Sequence, residues 1–140
     1  MAMTFTYDDG IDPVGRAANV CKVIADWTSD GSGNASGTTR KVVGELIKGV
    51  TDPGSPAPTD NYDIVVTDEE GVNVLAACDD DLIDRDTTTT EEVYFLLKDH
   101  AGSPLAQSLR PAVCDKLTIT VSNAGNATKG QLILYVNPRM

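Results

Sequence analysis

KLTITVSNAGNATKGQLILYV, residues 116–136, decides the fold class of this chain. Leu117, Ile119 and Val121 alternate strictly with Thr118, Thr120 and Ser122. That two-residue period puts apolar side chains on one face of an extended strand and hydroxyls on the other. SNAGNATKG has turn chemistry, and QLILYV (131–136) is a second apolar run, so the two runs read as a terminal β-hairpin. A helix would repeat its apolar positions at three and four residues over ten or more positions, and this chain rarely does so.

Working outward, the same signal recurs. Cys21, Val23, Ala25 and Trp27 alternate with Lys22, Ile24, Asp26 and Thr28, giving one apolar face and one mixed face. TTRKVVGELIKGV (38–50) is rich in β-branched residues and broken by Gly44 and Gly49, which favours a strand with a bulge at Gly44 over a helix. TDPGSPAPTDN (51–61) holds three prolines and reads as a surface excursion, because proline cannot donate to a ladder. NYDIVVTDEEGVNVLAA (61–77) reads as a hairpin turning at Asp68-Glu69-Glu70-Gly71. Thr4–Tyr7, the apolar stretch Val93 to Leu97 that follows threonine-rich 87–92, and a segment near Leu105–Leu109 complete the set. About eight short strands with Gly- and Pro-rich connections predict a single all-β domain, an antiparallel sandwich, jelly roll or barrel rather than a parallel α/β sheet.

The 140 residues suffice for one domain with its own core. Eleven basic against twenty-one acidic side chains leave a formal charge of -10, which opposes binding to nucleic acid or to an anionic membrane surface. MAMTFTYDDG has no basic and apolar leader pattern, and no run reaches the ~18 apolar residues that span a bilayer, so synthesis in the cytoplasm as a soluble protein is expected. Cys21, Cys78 and Cys114 lie far apart, with no C-x-x-C pair, and read as reduced thiols buried as small hydrophobes.

DDDLIDRD (79–86) concentrates five aspartates in eight positions and is the first place to look for chemistry. Asp79, Asp81, Asp84 and Asp86 could supply several oxygens to Ca²⁺ if the loop curled. A dedicated calcium loop carries a central glycine and a distal glutamate, whereas here Leu82 and Ile83 occupy the middle and Arg85 interrupts the charge. The run therefore reads as an acidic, solvent-facing connection with Leu82 and Ile83 tucked toward the core or a neighbouring subunit. Adjacent acids at Asp8-Asp9, Asp68 to Glu70 and Glu91-Glu92 do not suit two-carboxylate hydrolysis, which needs opposed walls of a cleft. His100, the single histidine, lies in turn-like DHAGSP with Ser103 and lacks a nucleophile elbow around it. DGSGNASG (30–37) lacks the G-K-[ST] of a phosphate loop, and Trp27, the single tryptophan, belongs to the apolar face of its strand.

The order of these pieces resembles a known family. Asp9-Gly10-Ile11-Asp12-Pro13-Val14-Gly15-Arg16 follows a short first strand; Asp60-Asn61-Tyr62-Asp63-Ile64 comes with Asp68, Gly71 and Val74-Leu75; Ser122-Asn123-Ala124-Gly125 precedes Gly130 to Tyr135. This pattern is similar to the jelly-roll capsid cement, or decoration, proteins of tailed bacteriophages. The resemblance implies a non-enzymatic virion protein without cofactors that sits on the outer capsid surface and bridges major capsid protein subunits. It also implies a homodimer or homotrimer. The segments expected to reach a neighbour are the two ends and the proline loop, with contacts at Met3, Phe5, Pro56, Pro58, Leu82, Ile83, Pro138 and Arg139. Two alternatives stay open: a carbohydrate- or receptor-binding β-sandwich, and another phage head or tail structural protein.

Overall fold

The computed structural model describes residues 2–10, 20–99, 101–103 and 109–138. These residues contain no helix, and seven strands organise them. The strands are β1 (Ala2–Asp8), β2 (Cys21–Thr28), β3 (Ala35–Pro53), β4 (Asp63–Thr67), β5 (Glu91–Tyr94), β6 (Ala112–Ser122) and β7 (Lys129–Asn137). Every pairing is antiparallel, in the order β1-β2-β7-β3-β6-β4, with β5 also on β3.

The nineteen-residue β3 carries the architecture. Its first part, Ala35 to Glu45, pairs with β6, and its second, Glu45 to Pro53, pairs with β7. β5 joins over Lys48 to Thr51. One sheet is thus led round a corner into two layers, β1-β2-β7-β3-β5 and β3-β6-β4, which face each other across the core as the antiparallel sandwich read from the sequence. Two bulges bend the strand, between Thr38 and Lys41 and between Leu46 and Lys48. Each inserts one residue and so reverses which side chains face inward: Ala35 and Thr39 before the first, Val42 and Leu46 between them, Gly49 and Thr51 after the second. At the first bulge the buried Thr39 Oγ1 accepts the Leu117 N–H at 3.0 Å, replacing a ladder bond. Gly44 is not itself bulged, as the sequence suggested, but stays in register opposite Val113. Its φ of 140° and its approach to the Asn137 carbonyl, which any Cβ would overlap, account for the glycine.

The expected terminal hairpin does not form. β6 and β7 flank β3 and do not pair with one another, so Asn123 to Thr128 is an arch between layers rather than a hairpin turn. Positive φ at Asn123, Gly125 and Ala127 turns it, and the buried Ser29 hydroxyl meets that of Thr128 at 3.0 Å to hold it down. The second arm of the expected 61–77 hairpin is also missing. Asn73 makes a single bridge to Thr67, after which its side-chain oxygen accepts the Leu75 N–H at 3.0 Å and the chain closes into turns. A side-chain acceptor competing with the ladder is the reason. The strand near Leu105–Leu109 falls outside the described residues except for the exposed Leu109.

The interior follows the predicted periods. Val23, Ala25 and Trp27 of β2 face Leu117, Ile119 and Val121 of β6, joined by Leu132, Leu134 and Val136 of β7 and by Ile64 and Val66 of β4. Trp27 lies against Tyr62 at a ring separation of 5.6 Å, and burial pushes the Tyr62 hydroxyl up to about 12. Of the cysteines only Cys78 is buried, its thiol pushed up to about 11 by that burial. Cys21 is half-buried at a strand end and Cys114 is exposed, since it occupies the outward phase of β6.

Gly130 lies opposite Trp27, and a Cβ there would overlap the indole ring. The Gly130→Ala chain is expected to lose about 1–3 kcal/mol of stability through overpacking, read from urea unfolding followed by Trp27 fluorescence.

Candidate functional site

The acidic run closes an edge of the sandwich. Leu82 accepts the Ile64 N–H at 2.9 Å, Arg85 and Tyr62 bridge, and the Val74 N–H reaches the Val66 carbonyl at 2.9 Å, so residues 72–86 cover the outer side of β4. The carboxylates serve the local backbone. Asp86 Oδ1 accepts the N–H groups of Thr88 and Thr89 at 2.7 and 2.9 Å, Asp81 that of Ile83 at 3.2 Å, and Asp80 that of Asp81 at 2.9 Å. Among the described residues no three His, Cys, Asp or Glu side chains assemble as a metal-ligand set. Arg85 is 8% exposed, with its guanidinium 2.8 Å from the Ile83 carbonyl and 3.7 Å from Glu91. It ties the loop to its own Ile83 carbonyl and to Glu91 of β5.

The residues expected at a neighbour's surface divide. Leu82 is wholly buried and packs toward Gly49 and Leu132, and Pro58 is buried too, so neither offers an outer contact. An apolar side chain in an acidic loop found its place in the chain's own core. Met3 and Phe5 belong to β1 instead of a free arm, half-buried over Gly37, where a Cβ would stand 2.9 Å from the Phe5 ring. Pro56 is exposed, and Ile83 and Pro138 are partly so. Arg139 and His100 lie outside the described residues; near the latter, Asp99 Oδ1 accepts the N–H groups of Ala101 and Ser103. Asp9 pairs with Arg40, whose guanidinium sits 4.1 Å from the Tyr7 ring centre.

What the structure brings together lies elsewhere, on the outer face of the larger layer. Strand register aligns three rows across it. The first runs Asp8, Lys22, Tyr135, Lys48, Tyr94; the second Thr6, Ile24, Ile133, Val50, Glu92; the third Thr4, Asp26, Gln131, Asp52. In the first row the ammonium of Lys48 lies 4.5 Å from the Tyr135 ring centre and 5.4 Å from that of Tyr94, and Lys22 lies 5.2 Å from Tyr135. Lys48 also pairs with Glu92, which holds its ammonium above the usual lysine range. In the third row Gln131 donates to Asp26 at 2.8 Å, and Thr90 to Asp52 at 2.9 Å. Beside that row the Pro53 to Ser55 turn walls a groove of about 470 Å³.

These rows were not visible along the chain. The mixed face of residues 22–28 was the available signal, but its meaning depends on β7 and β3 standing beside it in one register, and no local pattern specifies that. The second row is apolar at its centre, the first cationic and aromatic, the third anionic and amide.

The class these features define is an antiparallel β-sandwich with one covered edge and an ordered outer face. No protein-family model matches the sequence, and no curated protein sequence matches it.

The local carboxylates set the acid response. Asp30 accepts the N–H groups of Asn34 and Ser32, and Asp86 those of Thr88 and Thr89, which holds both carboxyls below the ordinary 3.8. These bonds favour the ionised form in the folded chain, so their stabilisation is complete well above pH 3.8 and is lost as pH falls through the lower folded values. The Asp30→Asn, Asp86→Asn double variant keeps the acceptor oxygens without the titration. Its stability is expected to fall less steeply than the parent's between about pH 4 and pH 2 in acid denaturation followed by circular dichroism.

Proposed function

We propose that this chain is a structural protein of a virion: a cement protein that binds the outside of an icosahedral phage capsid and stabilises contacts between major capsid subunits. The observation that carries the reading is where the chemistry lies. The carboxylates of residues 79–86 serve turns and an edge cover, while the spatially ordered polar and aromatic groups lie on an open sheet face. The opposite layer presents a second, hydroxyl-rich face, with Thr38, Thr118 and Thr67 in one row and the Thr38 and Thr118 hydroxyls 3.1 Å apart. A small sandwich with two patterned faces is suited to repetitive docking, in which many modest contacts act together. Its net charge of -10 suits a place outside the shell better than one against packaged DNA.

The test is co-sedimentation of the purified chain with expanded shells of the phage that encodes it, and with isolated coat subunits. The chain is expected to pellet with shells to a saturating ratio and to remain in the supernatant with subunits alone. A chain left in the supernatant at every shell concentration overturns the reading.

A carbohydrate-binding role is the competing reading, favoured by Tyr135 and the 48%-exposed Tyr94, which lie in one row with β3 between them. Two strand spacings set these rings about 10 Å apart, the scale of a short oligosaccharide. Saturable oligosaccharide binding in a calorimetric titration, abolished by Tyr94→Ala, would favour this role; flat titrations are expected for a cement protein.

A further inference from the structure

We infer that the outer face of the larger layer is the docking surface for a second copy of this chain, related by a two-fold axis lying along the row Ile24, Ile133, Val50. The charge pattern selects both the occupant and the axis. The first row carries Lys22 and Lys48, and the third carries Asp26 and Asp52 on the same two strands, β2 and β3, with the apolar row midway between them. Rotation about that middle row brings the first row of one copy over the third row of the other. Lys22 then faces Asp26 of the second copy, Lys48 faces Asp52, and Tyr135 faces the Gln131 amide.

An axis along the strands gives the opposite result. It would set Lys22 over Lys48 of the second copy and Asp26 over Asp52, joining like charges at every corner. The face is self-complementary in one orientation and self-repelling in the other, which fixes the arrangement as an isologous pair. The shape agrees: the long Lys and Tyr side chains of the first row meet the third row, where the chain is hollowed into the groove beside Pro53 to Ser55. Middle-row residues meet their own counterparts, so Ile24, Ile133 and Val50 form the dry centre, while Glu92 at the rim end of that row meets Glu92 of the second copy, each carboxylate paired with Lys48 of its own chain.

Four strand spacings by six residues make the face roughly 20 Å on a side. With overhanging side chains the pair would bury on the order of 1,000 Å² in total, at the lower bound for a specific interface. A dimer with a micromolar dissociation constant is the expected form. Self-association covers this face and leaves the hydroxyl-rich face of Thr38, Thr118 and Thr67 free for another partner; its test uses the chain alone, so failure here is distinguishable from failure of the capsid co-sedimentation.

The experiment is sedimentation equilibrium of the full chain over a concentration series up to about 200 µM at about 0.15 M salt, where charges more than about 8 Å apart are screened. The expected result is a monomer–dimer equilibrium. Ile133→Glu places like charges on the axis and is expected to raise the dissociation constant by about a hundredfold or more while the thermal melt stays cooperative. Lys22→Asp and Asp26→Lys are each expected to weaken the dimer about tenfold, and the two together to restore it, because exchanging the signs preserves the cross-copy pairing. A chain monomeric throughout the series overturns the inference, as does an oligomer indifferent to Ile133→Glu. If Ile133→Glu does not fold, the charge exchange decides: single variants without effect, or a double variant no better than its parents, overturn it.

Discussion

At Glu45 one backbone serves two strands, pairing with Ala112 of β6 and with Asn137 of β7. This shared residue constrains everything around it, because the strand must leave one neighbour and take up the other without exposing its amides to the core. Gly44 allows the Asn137 carbonyl to come close, and Pro111 supplies an acceptor for the Leu46 N–H at 2.9 Å just past the corner. The bulge that follows sets the phase of the second half of β3. Were the same residues to run past Leu46 in regular alternation with no bulge, Lys48, Val50 and Asp52 would turn inward, burying two charges, and Gly49 and Thr51 would turn out. The ordered outer face and the dry interior are therefore two results of one inserted position.

Much of this was legible in the sequence, and what was hidden follows a physical pattern. Side-chain alternation located β2 and β6 and chose their buried faces correctly, including Trp27, because burial imprints a period of two on any half-covered strand, and an apolar run located β7 without naming its inner face. Partnership was not legible. β6 and β7 look like neighbours across a short turn, yet a strand long enough to serve both separates them, and loop length alone cannot rank a hairpin against an arch. The second arm after Gly71 failed for a different reason: a single Asn73 carbonyl oxygen diverted the backbone into turns, a local choice that apolar content does not encode.

The same distinction explains the aspartates. A cluster in sequence suggests convergence on a ligand, but an aspartate side chain is short and finds the amide two residues ahead before it finds another strand. Asp30, Asp68, Asp86 and Asp99 each accept two backbone N–H groups within four residues of themselves. Repeated use of that one device orders the connections between strands, alongside apolar anchors such as Leu75 and Leu82. The groups that do assemble over distance, Lys22, Tyr135 and Lys48, are spread over more than a hundred residues of sequence and share only a line across the sheet.

The cover over β4 has a consequence for crowding. A bare strand edge can add a strand from any neighbour, and each addition exposes a fresh edge, so the growth has no natural end. The net charge of -10 opposes such encounters only at range, and at cellular salt its reach shrinks to about 8 Å. The amide partners supplied by Leu82 and Arg85 act at contact and are indifferent to ionic strength. A solution too salty for repulsion to keep these molecules apart would still find that flank of the sheet already occupied by its own chain.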